Sequence, residues 1–339
     1  DLARRLDEDL LDLSRQRKDS AGLVLGHMSS GRTLMYAGGF APSRSHLEAA
    51  LALHDPTIHG SLVHQIGNYP QVVAQASLGI VLFHLGFPDQ AVVRSIAAIA
   101  EARRRSHPTA LAVSLSDCTL LLSLVGDNVA LEQRAGELIT VATEQDFPLW
   151  AAQGTIYCGW AKVKNGNLAE GMSLLRLGAD AYRATGAEAW TPYYTALLAR
   201  TCAITEEIEE SLALLDDALQ IIERTGERWF AAELNRHKGQ LLLRQGHSEA
   251  AEELYRKALR IGEGQEAKLW ELRAAAGLAR LHRDQGRHAE ARALLAPVCG
   301  WFTEGLDIPD LKEAKALLEE LQAPDGRSGV VAQPGPRAA

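Results

Sequence analysis

Between Lys238 and Leu259 the apolar positions recur three and four residues apart on both sides of one glycine, which predicts two amphipathic helices joined by a tight turn. Ala251, Tyr255 and Ala258 form the inward stripe of the second helix, and Gly239 is a small residue where that helix approaches the first. Gly246 ends the first helix in a backbone conformation that is cheap only for glycine.

The same pattern returns every forty residues. From Gly246 that step reaches Gly286, Gly166, Gly126 and Gly86, and only Glu206 departs. Seven positions before each turn stand Gly79, Thr119, Gly159, Ala199, Gly239 and Ala279; five after it stand Ala91, Leu131, Gly171, Ser211, Ala251 and Ala291. All of the second set are small except Leu131. Upstream, Gly31, Gly38, Ser43, Leu47 and Ala50 fit the template after one irregular spacing of 48, which makes seven helix pairs. A period near forty predicts a solenoid in which each unit buries its apolar face only against its neighbours.

The predicted helices lie near 1–15, 20–37 and 41–53, then pair as 70–85 with 88–104, 108–125 with 128–145, and 149–165 with 167–184. They continue as 190–203 with 207–225, 229–245 with 247–263, and 268–285 with 287–303, and a last helix over 310–321 is expected to cap the array. The extra eight residues fall in an irregular loop, 54–69, that holds His54, His59 and His64. Their spacing of five does not put them on one helical face, so a polar loop rather than a metal site is expected. The Pro, Gly and Ser content of 322–339 predicts a disordered tail.

Composition sharpens this into an all-α fold, with hydrophobic residues at 47% and aromatics at only 6%. Residues 1–321 read as one elongated domain. A net charge of -8 argues against a general nucleic-acid binder. No apolar run is expected to cross a membrane and 1–5 is not a signal peptide, so the expected location is cytoplasmic. A start without Met suggests a fragment of a longer chain. Cys118, Cys158, Cys202 and Cys299 form no CxxC pair and read as core filler. Trp150, Trp190 and Trp270 keep the forty-residue step beside Trp229 and Phe230. They read first as rings that set the angle between repeats and second as ligand-stacking anchors.

Candidate chemistry is sparse. Gly26–Thr33 outlines a phosphate loop with Arg32 in place of lysine, but it falls inside a helix where Gly31 is a packing residue, so no nucleotide site is expected. No triad, HExxH or dinucleotide fingerprint is present, and the chain reads as non-catalytic, without cofactor or metal.

The small-small-aromatic-small spacing of 239–258 resembles the tetratricopeptide repeat (TPR) consensus. Several blocks, 142–150, 182–188, Glu223–Trp229, and Gly300–Gly305 leading to Asp310–Lys315, resemble the C-terminal TPR region of bacterial signalling proteins that join an adenylate or guanylate cyclase domain to an AAA-like ATPase. The resemblance covers nearly all of 20–321. It implies a right-handed superhelix acting as a sensor that binds a protein or ligand and regulates the upstream domains of its own chain. Tyr69, where that family usually has Asp, and Cys299, where an aromatic is common, depart from the pattern.

In TPR proteins the first helix of each pair lines the concave groove, at offsets of six and three before the packing small residue and one, four and five after it. Those offsets select Gln153, Trp160, Lys164, Tyr193, Arg200, Glu233, Arg236, Gln240, Arg244, Arg273, Arg280 and Arg283. Guanidinium groups gathered on a groove suit bidentate capture of carboxylate or phosphate, which makes an acidic segment or an anionic metabolite the expected partner. The competing expectation pairs these arginines with Glu233, Asp284 and other helix-surface acids. A small-ligand pocket inside the superhelix, lined by Trp and Tyr, is the alternative to a protein-binding groove.

Overall fold

A computed structural model describes residues 2–322, and all regular structure among them is helical. The helices are α1 (Leu2–Arg17), α2 (Ser20–Ala37), α3 (Phe40–Leu53), α4 (Pro56–His59), α5 (Leu62–Ile66), α6 (Pro70–His84), α7 (Pro88–Arg104), α8 (Pro108–Val125) and α9 (Asn128–Glu144). They continue as α10 (Pro148–Lys164), α11 (Leu168–Ala184), α12 (Thr191–Ile204), α13 (Ile208–Thr225), α14 (Ala231–Arg244), α15 (Ser248–Gly264), α16 (Lys268–Asp284), α17 (His288–Gly300) and α18 (Pro309–Glu320). Seven antiparallel pairs run from α2–α3 to α16–α17, with α1 packed on α2 and α18 on α16 and α17, a TPR-like α-solenoid. The expected disordered tail lies outside the described residues from 323 onward.

The repeat register is visible as one recurring contact. Residues twelve apart on the two helices of a pair meet backbone to backbone. The Ser43 hydroxyl donates to the Gly31 carbonyl at 2.6 Å, and Ser211 donates to Ala199 at 2.7 Å. A Cβ on Gly79 would stand 3.0 Å from the Ala91 carbonyl, and one on Gly159 would stand 2.9 Å from that of Gly171. The turns hold their left-handed geometry even without glycine. Gly166 has φ +87°, and Glu206, at the equivalent position, is forced to φ +66°. That strain costs on the order of 1 kcal/mol and is carried by the packing on either side.

The 54–69 stretch forms the short helices α4 and α5. His59 is buried there, its Nε2 3.0 Å from the Ser20 hydroxyl and its Nδ1 accepting the Asp55 amide at 2.9 Å, so both nitrogens are engaged. His64 is exposed, while the His54 ring lies 5.7 Å from that of His59. Gly26–Thr33 lies inside α2, where a Cβ on Gly31 would press into Leu47. The expectation about apolar runs needs one correction. α8 is long and apolar enough to cross a membrane by length and composition, yet 67% of it is buried because neighbouring repeats enclose it.

The array closes on itself. The Tyr36 carbonyl accepts the Arg228 and Trp229 amides at 2.8 and 3.2 Å, and the Tyr36 ring stands 4.8 Å from Trp190. His84, stacked on Phe40 at 4.3 Å, meets Trp270 at 4.8 Å and Trp229 at 5.6 Å. Glu304 accepts the Asp89 and Gln90 amides at the start of α7 (3.0 and 3.1 Å), while the Gly305 amide donates to Asp89 at 2.9 Å. Trp190, Trp229, Phe230 and Trp270 are thus core. They plug the ring where the first helices begin.

Candidate functional site

A cavity of about 530 Å³ opens toward the other end of the ring, where the first helices finish. Its wall comes from the last turns of α8, α10 and α12, from α14 between Glu233 and Arg244 and from α16 between Leu272 and Arg280, and α18 closes one side with Pro309, Asp310 and Glu313. Nine of the twelve positions that the offsets select line it: Trp160, Lys164, Arg200, Glu233, Arg236, Gln240, Arg244, Arg273 and Arg280.

Gln153 and Tyr193 do not line it, which corrects the expectation that they contact a ligand. Both are buried where adjacent first helices press together, unlike Glu233 and Arg273 at the same offset, which reach the cavity. Gln153 accepts from Ser116 at 2.8 Å and donates to the Tyr194 hydroxyl at 2.9 Å. The Tyr193 hydroxyl lies 2.6 Å from that of Ser123, its ring packs on Phe230 and Trp229, and burial pushes its pKa up to about 12. Where the sequence pattern predicts a protein-binding groove, with an interior pocket as the alternative, the lining residues enclose a bounded cavity.

Electrostatics divide the cavity into two halves. In the first, Glu233 is buried at 1% exposure and takes two hydrogen bonds from Arg236 (2.6 and 3.0 Å) and one from Arg273 (3.2 Å). Burial alone would raise its carboxyl, but the Arg236 and Arg273 guanidiniums outweigh burial and hold it well below the carboxylate range. Arg273 also grips Asp310 bidentately at 2.9 and 2.8 Å and donates to the Leu124 carbonyl at 2.7 Å, tying α16 to α18 and to the end of α8. Burial opposes the charge on Arg273, yet the two carboxylates hold its pKa raised. Arg280 pairs with Glu313 at 2.9 Å, and Arg283, outside the cavity, pairs with Asp284 and Glu320. His237 is driven well below its usual pKa by burial, then by Arg236, and stays neutral.

In the second half the positive charge is uncompensated. The Arg200 guanidinium lies 4.4 Å over the Trp160 ring, with the Lys164 ammonium 5.8 Å from the same ring. Neither is hydrogen-bonded or ion-paired to another described residue. Burial brings Arg200 down to about 10, and burial followed by the nearby Arg200 lowers Lys164. Arg244 donates only to the Ala203 carbonyl, at 2.7 Å. Six cations therefore face three carboxylates in a chain whose net charge is -8.

Asp310 and Glu313 were not anticipated as site residues. The signal was two acids three apart on the flank of a helix whose buried stripe is Leu311, Ala314 and Leu317. Cys202, Glu207 and Glu210 bring donor atoms within 4.8 Å of one another at the turn after α12. Burial, then the adjacent acids, pushes the Cys202 thiol up to about 11, the opposite of what a thiolate ligand needs.

The repeated pair contact and the ring of helices make the fold a TPR-like α-solenoid. Residues 191–263 and 272–299 match profiles described as tetratricopeptide repeat. The chain is 25% identical over 223 residues to an uncharacterized protein of Rhizobium meliloti (strain 1021), a match covering 65% of this chain and 22% of that protein. Among solved structures, a Rap protein complexed with competence and sporulation factor superposes with a TM-score of 0.54 at 10% identity, covering 88% of this chain and 97% of that one. The apo form of RapI superposes at 0.53 and 10% identity, covering 86% and 99%. These two likenesses show the fold.

Proposed function

We propose that this chain is a non-catalytic, cytoplasmic binding and sensing region whose ligand places an anionic group in the cavity. The observation that carries the reading is the excess of cations over carboxylates on that wall, set against an acidic chain. An interior of about 530 Å³ is in the range of small-ligand sites, so the occupant is a compact anion or the acidic end of a protein segment rather than a long extended peptide. The structurally similar Rap protein is seen with its competence and sporulation factor, which supports a TPR ring as a receptor for a discrete ligand. The resemblance to cyclase and ATPase signalling proteins, together with a relative several times longer than this chain, supports an effector role: binding here regulates nucleotide-handling domains elsewhere in a longer polypeptide.

The test is a calorimetric titration with two probes, an Asp/Glu-rich hexapeptide and phenyl phosphate, at two salt concentrations. Saturable binding of at least one, weakened by salt and weakened further in the Arg200→Ala, Arg244→Ala double variant with helicity intact, is the expected result. If neither probe binds, the reading is wrong.

A further inference from the structure

Resting on that reading, we infer that the half of the cavity formed by Lys164, Arg200 and Arg244 over Trp160 is a subsite for a phosphate monoester, engaged as its dianion. The two halves of the cavity differ in one respect that bears on ligand chemistry. Around Glu233 every guanidinium has a carboxylate from this chain, so an incoming anion there must displace Glu233, Asp310 or Glu313. Around Arg200 there is nothing to displace.

Basic residues at helix C-termini have an ordinary explanation, since they meet the negative end of the helix dipole. That covers Lys164 and Arg244, the final residues of α10 and α14. It does not cover Arg200, which stands four residues before the end of α12. Burial brings its pKa down to about 10; Arg236 and Arg273 oppose its charge and Tyr193 and Glu233 favour it, but no carboxylate forms an ion pair with it. The guanidinium carbon lies 4.4 Å over the Trp160 ring, and none of its N–H groups is hydrogen-bonded to another described residue. A fixed fork with free edges matches two oxygens of one acid group.

The choice of phosphate over carboxylate follows from charge and donor number. One carboxylate offers a single negative charge and two oxygens, which one guanidinium satisfies. Three cations on one wall match a group carrying close to two charges and three acceptor oxygens. A phosphate monoester loses its second proton near pH 6, so affinity is expected to rise as pH increases through that value, where a carboxylate ligand would show no change. The cavity has room beyond the phosphate for the group that carries it, alongside Ala203, Ile204 and Gln240.

The experiment compares phenyl phosphate with benzoate by calorimetry on the same protein at pH 5 and pH 7.5. The expected result is that phenyl phosphate binds at least tenfold tighter than benzoate at pH 7.5, with a smaller margin at pH 5. Arg200→Gln should weaken phenyl phosphate at least tenfold. Arg200→Lys, which keeps the charge and removes the fork, should recover only part of that loss. Lys164→Gln, on an exposed side chain, should weaken it severalfold and serves as the second variant should Arg200→Gln fold poorly. Equal affinity for benzoate, no change between the two pH values, or no effect of either variant would overturn the assignment. Binding of the acidic hexapeptide without phenyl phosphate would overturn it while leaving the anion-receptor reading intact; failure of both probes would end both.

Discussion

The contact between α10 and α11 yields a prediction in which two chemically identical substitutions move stability in opposite directions. Gly159 and Gly136 both lie inside helices, and alanine is favoured over glycine there by about 1 kcal/mol. At Gly136 nothing stands within 4 Å of an added Cβ, so Gly136→Ala should stabilise the protein by about 0.5–1 kcal/mol. At Gly159 the added carbon would lie 2.8 Å from the Leu175 backbone nitrogen, 2.9 Å from the Gly171 carbonyl oxygen and 3.0 Å from the Leu174 Cβ. Two of those atoms are backbone, so no rotamer change relieves them, and the helices must separate by several tenths of an ångström. Overpacking of this kind costs about 1–3 kcal/mol. After the propensity gain, Gly159→Ala should be destabilising by about 1–2 kcal/mol. Urea denaturation followed by circular dichroism measures both changes. Hydrogen exchange should place the loss in α10 and α11, since each unit of a solenoid is held by its immediate neighbours. A Gly159→Ala protein as stable as Gly136→Ala would refute the claim that the small-residue register marks backbone contact.

Two further outcomes follow from the ring closure. Glu227 is buried between the Trp190 amide and the Trp229 indole, and burial pushes its carboxyl up to about 7. The folded chain therefore keeps a proton that the unfolded chain releases above about pH 4.5. Stability should fall by about 3 kcal/mol as pH rises from there to 7 and then level off, Glu227→Gln should flatten most of that slope, and denaturant midpoints at pH 5 and 8 would check it. Deleting Asp310–Leu321 should raise exchange first in α16 and α17 and also at the end of α8, where Arg273 would lose the partner that aims it at Leu124; uniform deprotection, or none, counts against this.

The helix pairs were readable from sequence because a repeat writes each structural requirement several times. Gly79, Gly159 and Gly239 stand where a second helix's backbone passes, and Ser211 shows why serine is admitted in the facing slot: its hydroxyl binds the Ala199 carbonyl it touches. Even the missing turn glycine kept its geometry, since α12 and α13 are fixed independently and leave Glu206 no other conformation. Ring closure was not readable. It depends on Tyr36, His84 and Glu304 meeting residues far along the chain, and no repeat unit contains both sides of those contacts. The same omission put Gln153 and Tyr193 on a ligand surface, since the offset rule knows the face of a helix but not what covers each end.

The offsets separate into two kinds of work once the ring is closed. Six before the packing residue come Gln153, Tyr193, Glu233 and Arg273, and each reaches sideways to a neighbouring helix: Gln153 to Tyr194, Tyr193 to Ser123, and Glu233 to Arg273. One after it come Trp160, Arg200, Gln240 and Arg280, and five after it Lys164 and Arg244, all on the cavity wall. Residues forty apart stand side by side around the ring, so a residue type repeated in a slot becomes an arc in space. The deeper set is hydrogen-bonded to neighbouring helices, and a change there removes a partner from a buried polar group, at about 1–3 kcal/mol each. In the outer arc Lys164 and Arg200 have no hydrogen-bond or ion-pair partner among the described residues, so a change at these two removes no internal bond, whereas Arg280 and Arg244 hold Glu313 and the Ala203 carbonyl. The composition at Lys164 and Arg200 is free to follow the ligand. On that division the residues proposed here to meet an anion, Lys164 and Arg200, are separate from the hydrogen bonds of Gln153 and Tyr193 that hold neighbouring helices together.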